Sequence, residues 1–252
     1  MKKIIITLLF IASYLPAQAT QIPQTIPLTK GWNAIFITIS PTQPDPNLLF
    51  QNLPIDQVFT YHPQKSSVQF IQEPDEIDIK QAGWSRWVPS DQPDAFLNSI
   101  FQILAGQAYL IHSTQDYTWT FTGKPIYKKH IWQPNSFNLK GFYVNPDHPP
   151  TFADYFEDST AHSQTVVYSL MNNHWQQLTD LETNLIDSGK AYWIYSKGGS
   201  TFNAPLNIDL PTALKFNIEN RTEKISFDNL TQNSLEITIE HINNHLINVH
   251  FI

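Results

Sequence analysis

Hydrophobic positions along this chain fall in short runs, most with the length and alternation of strands. Residues 34–39, 58–61, 108–111, 117–122, 139–144, 166–168, 191–194 and 200–206 are such runs, bounded by Pro, Gly, Asn or Asp. Residues 45–50 and 151–156 read instead as one or two helical turns. Asp45 before Pro46 caps the first, and Thr151 caps the second. Residues 93–104 place Phe96, Leu97, Ile100, Phe101 and Leu104 at helical spacing with Asp94 near the start, which predicts a short amphipathic helix. From about Asp209 the texture changes to period-two alternation in 214–218, 224–227 and 235–239, expected as half-exposed antiparallel strands. Residues 235–252 read as a hairpin with a three-residue loop at 243–245, because that register sets Ile237 opposite Phe251 and Ile239 opposite Val249.

The runs recur in a fixed order. Gly31-Trp32-Asn33 opens a run that ends at Pro41, and Ser136-Phe137-Asn138 opens one that ends at Pro146, an offset of 105 residues at both ends. Gly106-Gln107-Ala108-Tyr109-Leu110-Ile111 matches Gly189-Lys190-Ala191-Tyr192-Trp193-Ile194 at an offset of 83. The first copy is therefore 22 residues longer, and the excess is expected between Tyr61 and Gly106. A glycine before the strand supplies positive φ, and Trp32, Phe137, Tyr109 and Tyr192 are expected in the core. The fold class that follows is mainly β: two diverged β-rich modules with short helices, then a small antiparallel segment resembling part of a sandwich. The expected boundaries are 1–19 for a signal peptide, 20–127 for the first module with its insertion at about 62–105, 128–207 for the second, and 208–252 for the last segment.

The start of the chain changes the expected compartment. Lys2 and Lys3 precede a mostly apolar stretch, Pro16 ends it, and Ala17-Gln18-Ala19 offers small residues for cleavage before Thr20. That layout predicts export to the periplasm, the cell surface or the medium. The stretch is shorter than the roughly 20 apolar residues that span a bilayer, so no membrane span is expected. Losing the two lysines takes the net charge from −7 to −9. An acidic chain without a basic run has no footprint for nucleic acid. With no cysteine there are no disulfides, so stability must come from burial, for which 16 Phe, 10 Tyr and 7 Trp are a good supply.

Catalytic signals are weak. His241 and His245 have the spacing of a helical zinc site, but the segment alternates like a strand and lacks Glu after the first His. Asp154, Glu157 and Asp158, and Asp75, Glu76 and Asp78, lie in turns and read as solvated surface; neither group matches a calcium loop or an evident glycosidase pair. No metal or other cofactor is expected, and the balance leans away from an enzyme. Binding is suggested by indoles: Trp84, Arg86 and Trp87 stand in a proline-bounded segment suited to stacking on sugar or docking on protein, and Trp175 aligns with Trp84. The simplest alternative is that these rings fill β cores.

Gly-Trp-Asn before a β run and Pro, Gly-x-Ala-Tyr-Leu/Trp-Ile, Phe121-Thr122-Gly123-Lys124-Pro125, and the second opening Ser136-Phe137-Asn138 together resemble a module of exported bacterial surface proteins. In these, paired copies precede immunoglobulin-like or laminin-G-like sandwich domains. The resemblance covers residues 25–207 and implies location and architecture but no catalytic residues. The leading expectation is a secreted or cell-surface, non-catalytic interaction module. Its partner would be carbohydrate, such as cell-wall glycan, or another surface protein. The alternatives are a polysaccharide-acting hydrolase and a purely structural spacer.

Overall fold

The computed structural model describes residues 21–63, 65–78, 80–209 and 224–230. The expected signal segment, the run at 214–218 and the hairpin at 235–252 with His241 and His245 lie outside the described residues.

The first module contains β1 (Ile22–Leu28), β2 (Gly31–Ile37), β3 (Ile39–Pro41), α1 (Pro46–Leu49), β4 (Ile55–Tyr61), β5 (Trp84–Trp87), β6 (Gln107–Ser113) and β7 (Tyr117–Pro125). The second contains β8 (Ser136–Lys140), α2 (Phe152–Phe156), β9 (Val167–Met171), β10 (His174–Leu178) and β11 (Tyr192–Ser196). β12 (Leu206–Asp209) and β13 (Ser226–Asn229) pair as an antiparallel ribbon across the expected boundary at 207. The protein is mainly β, with antiparallel sheets and, among the described residues, two short α-helices.

Each module is built on a four-stranded sheet, in the order β2-β6-β4-β5 in the first and β8-β11-β9-β10 in the second. The registers correspond residue by residue. Gly31 pairs with Ser113 and Ile35 with Tyr109; at offsets of 105 and 83 these become Ser136 with Ser196 and Lys140 with Tyr192, which are also pairs. Tyr61 faces Trp84 across β4–β5, and Leu170 faces Trp175 across β9–β10. The length difference is thereby localised. The first module has 18 more residues between those last two strands and 8 more between β5 and β6, while the second has 4 more between its first two sheet strands in the chain.

Shared side chains make the same bonds. Asn33 accepts from the Thr29 amide (2.9 Å) and donates to the Gly31 carbonyl (3.0 Å). Asn138 accepts from the Gln133 amide (2.7 Å) and donates to the Ser136 carbonyl (3.0 Å). The Tyr109 hydroxyl accepts from the Leu104 amide (2.8 Å), and the Tyr192 hydroxyl from the Asp187 amide (3.0 Å). The motif polar atoms thus tie loops to strand ends, satisfying main-chain groups that burial would otherwise strand. Asp45 and Thr151 cap their helices through the amides of Asn47 and Asp154. Gly31, Gly106 and Gly189 all have positive φ, as expected at the strand starts.

Three cores result. One face of the first sheet, including Ile35, Ile37, Tyr109 and Trp87, packs against the three-stranded sheet β1-β7-β3 through Ile26, Ile39, Trp119 and Phe121. The second module has no such cover among the described residues. Residues 201–205, expected as strand, have no strand pairing, and α2 with Trp132, Phe142 and Phe202 closes that core instead. The remaining faces of the two sheets meet, burying Trp32, Phe36, Phe59 and Leu110 against Leu139, Trp175 and Trp193. This explains why the strands are apolar on both faces. Main-chain bonds seal the junction: the Phe36 amide donates to the Gly189 carbonyl (2.8 Å) and the Ala191 amide to the Ala34 carbonyl (3.0 Å).

The long connection between β4 and β5 reinforces the same junction. The Phe137 amide on edge strand β8 donates to the Val68 carbonyl (3.0 Å). Asp75 accepts from the Trp32 indole (2.7 Å), and Glu73 from the Trp175 amide (3.2 Å). The turn at 73–78, expected as solvated carboxylates, is therefore in part a clasp between modules. Its glutamate and first aspartate satisfy N–H groups at the rim of the central core.

Candidate functional site

β5 reads Trp-Ser-Arg-Trp, and strand alternation sends its two indoles to opposite faces. Trp87 points into the first core, only 3% exposed, its indole donating to Asn47 Oδ1 (3.0 Å) and its ring 5.2 Å from that of Phe50. Trp84 is half-buried at the edge of the central core, with ring centroids 5.3 Å from Tyr61 and 6.1 Å from Trp193. Trp175 is buried, its ring also neighbouring Trp193, at 6.2 Å. Trp84 and Trp175 occupy corresponding places in the two sheets. Of the four residues singled out from sequence, only Trp84 and Arg86 border a common opening; Trp87 and Trp175 are core residues here.

Arg86 lies on the Trp84 face of β5. Its side chain is 11% exposed and its guanidinium Nη2 pairs with Asp94, an interaction that holds the Asp94 carboxyl below the usual carboxylate range. The Arg86 Nε–H is buried with no partner among the described residues. Lys80, Trp84, Arg86, Leu97 and Ser99 line a cleft of about 140 Å³. One wall is the connection that follows β5. The Ser99 and Ile100 amides donate to the Arg86 carbonyl (2.8 and 3.1 Å), and the Asn98 side chain bonds both main-chain groups of Val88. This segment covers the open edge of β5.

Those bonds also explain why 93–104 is not the expected helix. It has a single 3-10 turn, Ala95–Leu97, and then spends its amides on Arg86, Pro44 and Tyr109 instead of on its own carbonyls. Ile100 and Ile103 become the buried residues, while Phe96 and Phe101 stand 82% and 74% exposed, with Leu97 and Leu104 also exposed. Phe70, in the other added connection, is exposed as well. Periodicity alone could not find the exposure of Phe96 and Phe101, because helical spacing assigned both phenylalanines to a core.

Other chemistry is sparse. His62 Nε2 meets Ser85 Oγ at 3.0 Å and His162 Nδ1 meets Ser159 Oγ at 2.7 Å, but neither contact continues to a carboxylate. Among the described residues no group of three His, Asp or Glu could hold a metal, and no helix is long and apolar enough to cross a membrane. His162 is buried against Trp132 and Phe156, with ring centroids at 4.3 and 4.5 Å, and burial lowers its pKa from 6.5 to about 4. The unfolded chain therefore binds this proton more readily, so the contribution to stability is complete above about 6.5 and is lost as pH falls toward about 4. Urea midpoints measured across that window should fall more steeply for the wild type than for His162→Phe; parallel profiles would contradict the assignment.

No family model, curated protein or solved structure matches this chain.

Proposed function

We propose that the chain is an exported, non-catalytic interaction module of two diverged copies, and that its first copy binds carbohydrate of the cell-wall glycan class. The corresponding registers support the duplication, and the Lys2-Lys3 and Ala17-Gln18-Ala19 layout supports export. One observation carries the binding reading. The cleft at Trp84 and Arg86 and the exposed Phe70, Phe96 and Phe101 all belong to β5 or to the two connections that are longer in the first copy. Phe70, Phe96 and Phe101 themselves belong to none of the three cores, Phe96 adjoins Leu97 of the cleft lining, and exposed large apolar side chains near a cleft are a recognised sign of binding. The exposure of Phe96 and Phe101 also fits a second reading, docking on another surface protein.

The test is a polysaccharide and glycan-array screen of the secreted chain, recovered with Thr20 at its N-terminus. Wild type should retain a subset of glycans, and Phe96→Ser/Phe101→Ser should weaken that binding at least tenfold without lowering the melting temperature. Unchanged binding by the double variant would remove the site. No binding to any glycan would leave the protein-docking or spacer reading, and release of reducing ends would establish a hydrolase instead.

A further inference from the structure

We infer that the cleft beside β5 is specific for an acidic glycan, seating one uronic-acid unit with its ring on Trp84 and Leu97 and its carboxylate on Lys80 and Arg86. The inference rests on the binding reading above and narrows its ligand class.

Charge is the first argument. In a chain of net charge −7, this cleft collects Lys80 and Arg86. Asp94 neutralises one of them, which leaves a single positive charge, suited to one carboxylate per sugar ring and less to a phosphate dianion. The guanidinium is also unfinished. A guanidinium offers five N–H donors; here Asp94 engages Nη2 while Nε has no partner among the described residues. A buried donor left unpaired is costly and calls for an explanation. A ligand carboxylate reaching the guanidinium from the cleft, with a small turn of the side chain, supplies one. Asp94 already demonstrates carboxylate recognition by this group.

The rest of the lining suits a sugar. Trp84 is half-buried, so part of its ring faces the cleft, and Leu97 provides a second apolar wall. Ser99 Oγ accepts from the Arg86 amide and keeps its hydroxyl proton for a ring oxygen. The volume of about 140 Å³ lies well below the several hundred Å³ of a drug-sized site. It suits one ring of a chain whose neighbouring units continue along the surface toward Leu97 and Phe96.

The experiment titrates the secreted chain with oligogalacturonate and oligomannuronate, each beside its methyl ester, which removes the charge and keeps the ring. At least one acid should bind at least tenfold more tightly than its ester, with affinity falling as salt rises. Lys80→Gln, an exposed change, should weaken the acid severalfold and leave the ester unaffected; Arg86→Lys tests the fork separately from the charge. Equal binding of acid and ester, or binding indifferent to Lys80→Gln, overturns the inference. If neither acid binds while neutral glycans are retained on the array, this inference fails and the broader reading stands. If no glycan of any kind binds, both fall.

Discussion

Replacing Trp193 by alanine is expected to cost the folded protein about 3–5 kcal/mol, the range for removing a buried large aromatic side chain. Trp193 is 2% exposed, and its ring lies within 6.2 Å of those of Tyr61, Trp84 and Trp175. It therefore joins side chains from both modules. The cavity cannot close easily, because the main-chain bonds at Phe36 and Ala191 fix the spacing of the two sheets beside it. The corresponding residue in the first module is Leu110, buried in the same central core. Trp193→Leu should accordingly be milder than Trp193→Ala, although it removes the same indole N–H, which has no partner to lose. Urea unfolding of both variants measures the difference. An alanine variant within 1 kcal/mol of wild type would mean that the faces of the two sheets do not share a core.

Adding one methyl group at Gly141 should also be severe, at about 1–3 kcal/mol or more, as expected for overpacking. A Cβ there would lie 2.2 Å from Phe36 Cβ and 2.5 Å from the Lys190 carbonyl oxygen. Neither neighbour is a flexible tip: one is the root of a side chain and the other is main chain at the junction. Truncating Phe36 to alanine keeps its Cβ and should not rescue Gly141→Ala. Gly199→Ala is the control, since nothing lies within 4 Å of its added Cβ. For a chain of this size each kcal/mol lowers Tm by about 2–4 °C. A Gly141→Ala melt indistinguishable from that of the Gly199→Ala control would refute the close approach of the modules.

Much of the fold could be read from the chain because its signals are local. The glycines, the Asn and Tyr that tie loops to strands, and the two helix caps each act on main chain a few residues away, so their order in the sequence is their order in space. The contact between modules was not legible in that way. An apolar residue on the second face of a strand says that something covers it, but Trp193 beside Trp84 joins residues more than a hundred positions apart. For the same reason the abundance of indoles suggested a binding surface, when three cores divide them and the central one takes Trp32, Trp175 and Trp193. Of the candidate site, Trp84 and Arg86 could be found from sequence. Phe96 and Phe101 could not, because their exposure depends on where the neighbouring amides find acceptors, at Arg86, Pro44 and Tyr109.

Phe36 and Gly141 stand at the same offset as the other matched positions, 105 residues apart, and they touch. One is a knob and the other is the hole that receives it. In a pair of identical modules both places would carry the same residue: two knobs would force the sheets apart, and two holes would leave a gap. The observed packing therefore requires unlike halves. Making the two positions alike in either direction removes the fit, and the Lys190 carbonyl beside Gly141 fixes which of them must be the hole.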